Sequence, residues 1–159
     1  MFKSKQSFIF LFAFLVSGSI QASAPNVGDW VSFNGTHIKN GQVGKSKWTQ
    51  QILALTPFQA LIKFKEFIGS EQWVDLHALN YINDINSFCR SGDSGEFTLK
   101  LESLITPAGT FTTCKVETNN YTAWYSDVVP FGLVKELQKF DDGSEFEKLI
   151  FEFGNSQID

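Results

Sequence analysis

The sequence predicts a mainly β domain, an antiparallel meander of about nine strands with one helical segment near residues 77–88. Three observations carry this. Short runs of apolar–polar alternation recur along the chain and are separated by Gly, Pro and Asn. After residue 24 the chain keeps 12 Phe, 4 Trp and 3 Tyr, residues that suit a pleated, half-buried surface. Only the stretch after His77 breaks the rhythm, with Leu79, Ile82, Ile85 and Phe88 recurring at spacing three.

Taken in order, the alternation from Asp29 to Phe33 reads as a first strand, and Asn34-Gly35 behind it is a turn signal. Residues 37–46 are polar and contain Gly41 and Gly44, which reads as a loop where a change at Gly41 is mild. Lys47 to Thr56 and Gln59 to Ile68 read as a hairpin interrupted by Pro57, which has no N–H to give to a ladder. In its second arm Ala60, Ile62, Phe64 and Ile68 share a face, and Glu66 interrupts it. Glu71 to Leu76 is a short strand, and the helix or pair of helical turns over 77–88 follows. Ser91 to Gly95 reads as a loop.

Glu96 to Thr106 has the clearest strand pattern, with Phe97, Leu99 and Leu101 on one face and Thr98, Lys100 and Glu102 on the other. Pro107-Ala108-Gly109 makes a turn, with Gly109 expected at positive φ. Thr110 to Thr118 returns, and Tyr121 to Ser126 follows a turn at Asn119-Asn120. Leu133 to Phe140 and Glu145 to Phe153 close as a hairpin around Asp141 to Ser144.

The N-terminus sets the expected compartment. Lys3 and Lys5, the apolar run Phe8 to Val16 and the small residues Ala22-Ser23-Ala24 follow the three-part order of a signal peptide. The run is shorter than the about 20 residues a membrane span needs. Residues 1–24 are therefore expected to leave, with cleavage after Ala22 or Ala24, and residues 25–159 to form a single domain. No stable membrane span is expected after cleavage. Removing Lys3 and Lys5 from the 13 basic residues leaves 11 against 17 acidic ones, a net of −6. That balance, with no basic stripe, argues against nucleic acid and anionic membrane as partners.

Cys89 and Cys114 are an isolated pair, and in an exported chain such a pair is most simply a disulfide. Two free thiols or half of a metal site are the alternatives. The latter wants further His or Cys close by, and His37 and His77 are both distant in sequence. A bond would add about 3–4 kcal/mol in the chain-entropy picture.

The residues that could support catalysis are scattered. Only His37 and His77 could activate a nucleophile, and neither stands in a G-x-S-x-G-type motif. Asp127 is a lone acid, and Glu102 and Glu117 could meet across neighbouring strands, although a solvated strand face explains them as well. Glu66 reads either as a buried acid in a pocket or as a bulge that turns the carboxylate outward. Asn34-Gly35-Thr36 and Asn120-Tyr121-Thr122 match the glycosylation pattern, which has a meaning only in a eukaryotic source. No cofactor motif, phosphate-cradling loop or metal cluster is present in the sequence.

Thr106 to Val116 (Thr-Pro-Ala-Gly-Thr-Phe-Thr-Thr-Cys-Lys-Val) resembles a recurring hairpin of bacterial envelope proteins, in which a return strand carries a cysteine. Cys89 would be its partner. Trp124 to Lys135, with its Pro130-Phe131-Gly132 corner, and Leu149 to Gly154 continue the likeness, which covers about half of the chain after the leader. These segments resemble bacterial periplasmic and secreted proteins with a half-open β-barrel, similar in architecture to the Lol-type lipoprotein carriers. The resemblance implies a curved sheet whose concave apolar face is plugged by the 77–88 helix. It implies no catalytic residues. Ile62 and Phe64, with Phe97, Leu99 and Leu101, would line a cavity beneath Ile82 and Ile85, or would form a dry core.

The resulting expectation is a periplasmic or secreted, non-enzymatic binding protein for a lipid or other apolar small molecule. A protein-interaction or structural module of the envelope, with an envelope protein as partner, is the alternative, and an enzyme comes third.

Overall fold

The computed structural model describes residues 24–65, 70–79, 81–90 and 97–156. The expected leader, apart from Ala24, lies outside them, as do Glu66, Phe67 and Ile68. One nine-stranded antiparallel sheet dominates: β1 (Asp29–Lys39), β2 (Gln42–Leu55), β3 (Gln59–Lys65), β4 (Glu71–Asp75), β5 (Thr98–Thr106), β6 (Gly109–Glu117), β7 (Tyr121–Tyr125), β8 (Leu133–Lys139) and β9 (Glu145–Asn155). A 3-10 turn, Leu76–Leu79, and one short helix, α1 (Ile85–Arg90), lie between β4 and β5.

The strand order is β4-β3-β2-β1-β9-β8-β7-β6-β5, so the sheet is two meanders joined by β1 against β9. That seam aligns Phe33 with Ile150, both fully buried. β4 and β5, consecutive in the chain, form the two free edges, and the barrel does not close. The described part of the connection between them, the turn and α1, lies against the concave face. Register slips at Ser32/Phe33 on the β1–β9 seam and at Trp124/Tyr125 between β7 and β8 add local twist.

The first hairpin departs from the sequence reading. Its turn is Asn40-Gly41, at φ 49° and 76°, the pair of left-handed residues that a tight hairpin needs. Asn34-Gly35 is mid-strand, and residues 37–46 are not a loop: all but the two turn residues belong to β1 or β2. Gly35 has a packing role instead. A Cβ there would stand 2.5 Å from Ser46 Oγ and 2.7 Å from Trp48 Cζ3. Of two Asn-Gly signals, strand twist selects the one with solvent on both sides and packs an indole over the other.

The helical segment is two pieces rather than one helix. Asp84 restarts it: its Oδ1 accepts the Asn86 N–H at 2.9 Å and its Oδ2 accepts the Ser87 hydroxyl at 2.8 Å. These bonds hold the Asp84 carboxyl below the ordinary range, the Ser87 hydroxyl first. Asp127 Oδ2 accepts the Ile85 N–H at 3.1 Å. A disulfide joins Cys89 on α1 to Cys114 on β6, with Cα atoms 5.4 Å apart.

The main core gathers Val31, Phe33, Ile52, Ile62, Trp124 and Ile150 with Leu79 and Phe131 from the connections. A satellite of Ile82, Ile85 and Cys114 seats α1 on β6. Phe131 is buried at φ 65°, a left-handed conformation rare for a bulky residue, and its ring meets Tyr81 at 5.8 Å.

Candidate ligand-binding face

Cross-strand pairing puts Leu99, Val116, Ala123, Glu136 and Lys148 in one transverse row on the concave face. Hollows lie along this face, and two of them adjoin the crossing segment. The larger has a volume of ≈ 790 Å³. Its floor is Leu99 and Val116 with Tyr125 and Phe97, its roof is Ile82 and Phe88, and its rim is Tyr81, His77, Asn83, Asp84 and Ser87. The smaller, ≈ 260 Å³, lies against Phe33, Ile62, Phe64, Leu79 and Phe131, with Gln50 and Lys148 as its polar members.

The roof is fixed at several points. The disulfide and the Asp127 bond hold α1 at its two ends. Phe88 on α1 meets the Tyr125 ring edge-on at 5.8 Å. Upstream, Tyr81 donates its hydroxyl to Asp29 Oδ2 at 2.9 Å. Burial, then the Asp29 charge, pushes the Tyr81 hydroxyl above the usual phenol range, so it stays a donor. Asp29 also accepts Asn155 Nδ2 at 2.6 Å, tying the crossing segment to the β1–β9 seam.

The residues proposed from sequence as a lining divide. Phe97, Leu99 and Ile82 line the larger hollow, and Ile62 and Phe64 the smaller. Ile85 is buried in the satellite core. Leu101, opposite Cys114 in the register, lines neither hollow and is 39% exposed. Val116, Tyr125 and Tyr81 were absent from the sequence-derived set. Val116 and Tyr125 have a legible signal in strand alternation, but only the register shows that they meet Leu99. Pro107 and Gly109 stand at the β5–β6 tip, where Gly109 has φ 132°. Thr106 Oγ1 there accepts the Ala108 N–H at 3.1 Å.

The candidate acids have structural partners. Asp127 caps α1. Glu102 accepts the Trp124 indole N–H at 2.7 Å, which is the main reason its carboxyl lies below the ordinary range. Glu102 aligns with Thr113 and Glu117 with Thr98, so the two carboxylates do not face each other across the strands. His77 lies on the rim of the larger hollow with a mostly exposed side chain, and His37 is in β1. Among the described residues, no three His, Cys, Asp or Glu side chains are placed to hold a metal.

Fold and site together define an unclosed antiparallel β-barrel whose concave face is crossed by a tethered helical segment. A candidate lipoprotein from Parabacteroides distasonis shares this fold, at a TM-score of 0.50 and 15% identity over 86% of this chain and 99% of that one. Pseudomonas aeruginosa MucB, in its complex with MucA, aligns at a TM-score of 0.45 and 11% identity, over 89% of this chain and 56% of the other. A LolA-superfamily protein from Nitrosomonas europaea aligns at 0.29 and 9%, over 89% and 91%. No protein-family model matches the chain, and no curated protein matches it in sequence.

Proposed function

We propose that this chain is an exported, non-enzymatic binding protein of the cell envelope, periplasmic or secreted, that holds an acyl chain or similar apolar ligand beneath α1. The leading observation is the larger hollow. Its ≈ 790 Å³ lies within the usual ligand-pocket range, and its floor and roof are apolar. A shared fold does not supply a function, so the reading rests on this site. Each CH₂ buried there contributes about 0.8 kcal/mol, enough for a medium-length chain to bind usefully. The signal-like N-terminus and the disulfide support export.

The test is mass spectrometry of lipid extracted from protein purified out of the envelope, together with uptake of an environment-sensitive apolar dye. Copurified lipid and dye uptake weakened by Val116→Asp, in a variant that melts cooperatively, are the expected results. A folded, lipid-free protein that takes up no dye would sink the reading.

The two free sheet edges favour one second reading, an envelope protein-interaction module. Trp73 on β4 and Ile105 on β5 are 47% and 81% exposed, and an unpaired edge can accept a strand from a partner. Crosslinking to an envelope protein through these edges, without bound lipid, would place that reading ahead.

A further inference from the structure

We propose that the hollow beneath α1 selects amphiphiles with an uncharged polar head, of the acylglycerol kind, over fatty-acid anions of the same chain length. This rests on the apolar-ligand reading and adds the chemistry of the head group.

The charge around the rim carries the argument. Among the described residues, the polar members of the lining are His77, Tyr81, Asn83, Asp84, Ser87 and Tyr125, with no Lys or Arg. The lysines nearest the floor in sequence are turned away. Lys100 and Lys115 follow or precede Leu99 and Val116 and pair with each other on the opposite face of the sheet. There Lys100 meets Glu102 at 3.4 Å and Lys115 meets Glu117. The one basic residue of α1, Arg90, closes the helix outside the lining.

The backbone donors that might hold a carboxylate are already used. The Ile85 and Asn86 N–H groups at the start of α1 are bonded to Asp127 and Asp84. Asp84, held ionised by Ser87 and Asn86, adds a fixed negative charge to the rim. Among the described lining residues a fatty-acid carboxylate would meet no Lys or Arg and would face Asp84. A glycerol or amide head would instead find Asn83, Ser87 and His77 as hydrogen-bond partners.

The experiment uses the protein without residues 1–24, loaded with an uncharged environment-sensitive dye. At pH 8, above the range where imidazoles ordinarily titrate, the dye is displaced by monoacylglycerol or by the fatty-acid anion of equal chain length. Monoacylglycerol should displace at a concentration about tenfold lower, the scale of one uncompensated charge contact in a partly solvated site. Added salt should narrow the gap. Asn83→Lys should raise fatty-acid affinity and so narrow or reverse the gap. Asp84→Asn, which keeps a capping side chain, should narrow the gap in the same direction. Equal or better displacement by the anion in the parent protein would overturn the head-group preference and leave apolar binding standing. A folded protein that takes up no dye would overturn both.

Discussion

Asp127 Oδ2 accepts the backbone N–H of Ile85 at 3.1 Å, joining the corner after β7 to the first residue of α1. A carboxylate that looks in sequence like a possible acid catalyst is thus a clamp on the roof of the larger hollow. Asp127→Ala leaves a helix N–H without its partner and should destabilise the fold by about 1–2 kcal/mol. Asp127→Asn keeps an acceptor and should lose less. Thermal melts of the two variants decide it. Equal melting temperatures for Ala and the parent protein would remove Asp127 from the clamp.

The Cys89–Cys114 bond fixes the other end of α1 to β6. Cys114→Ser should lower stability by about 2–4 kcal/mol. It should also speed dye exchange from the hollow, because only the roof is released. Alkylation with intact-mass analysis checks the bond in exported material, where two alkylated thiols would count against it.

Gly41 and Gly109 stand at turns with φ 76° and 132°, and a Cβ at either position meets nothing within 4 Å. Any cost of Gly→Val is therefore backbone strain, about 1–2 kcal/mol at each site. The sequence reading made Gly41 a mild loop position. The hairpin geometry corrects this, and Gly41→Val should melt earlier than the parent protein, as Gly109→Val should. An unchanged melt for Gly41→Val would contradict the left-handed turn.

Asp142 should give the fold an acid-sensitive component. Lys39 donates to Asp142 Oδ2 at 2.8 Å, and Asp142 Oδ1 accepts from the Ser144 hydroxyl and N–H. These bonds, the one from Lys39 first, hold its carboxyl far below the ordinary 3.8. A depressed folded-state pKa contributes stability that is fully present above the unfolded value and is lost as pH falls toward the folded one. Asp142→Asn should melt below the parent protein at pH 7, and the gap should shrink below pH 4. A gap that is constant from pH 7 to pH 2 would show that ionisation plays no part. Because the pair is exposed, the effect should be small and should weaken in salt.

The sequence by itself determined what local pattern controls. The alternation of Phe97, Leu99 and Leu101, the punctuation at Pro57 and Gly109, and the departure from period two after His77 each reflect steric and solvent preferences within a few residues. They were enough for nine strands, their antiparallel sense and a helical interruption. Through the resemblance carried by the Pro107-to-Cys114 hairpin and the Pro130-Phe131-Gly132 corner, they also reached the curved half-barrel. They also marked Ile62, Phe64 and Leu99 as apolar-face residues.

Tertiary structure alone decided which local signals prevailed and which residues meet. Asn34-Gly35 and Asn40-Gly41 are equivalent as turn signals, and the packing of Trp48 over Gly35 separates them. Phe33 and Ile150 are far apart in the chain, and no local preference announces the β1–β9 seam that makes two meanders one sheet. That seam leaves β4 and β5 as opposite edges, with residues 76–79 and 81–90 over the concave face, where Val116 and Tyr125 become a floor. Leu101, equal to Leu99 in pattern, falls outside both hollows. Strand alternation assigns a side chain to a face, but only register and the path of the crossing segment assign it to a cavity.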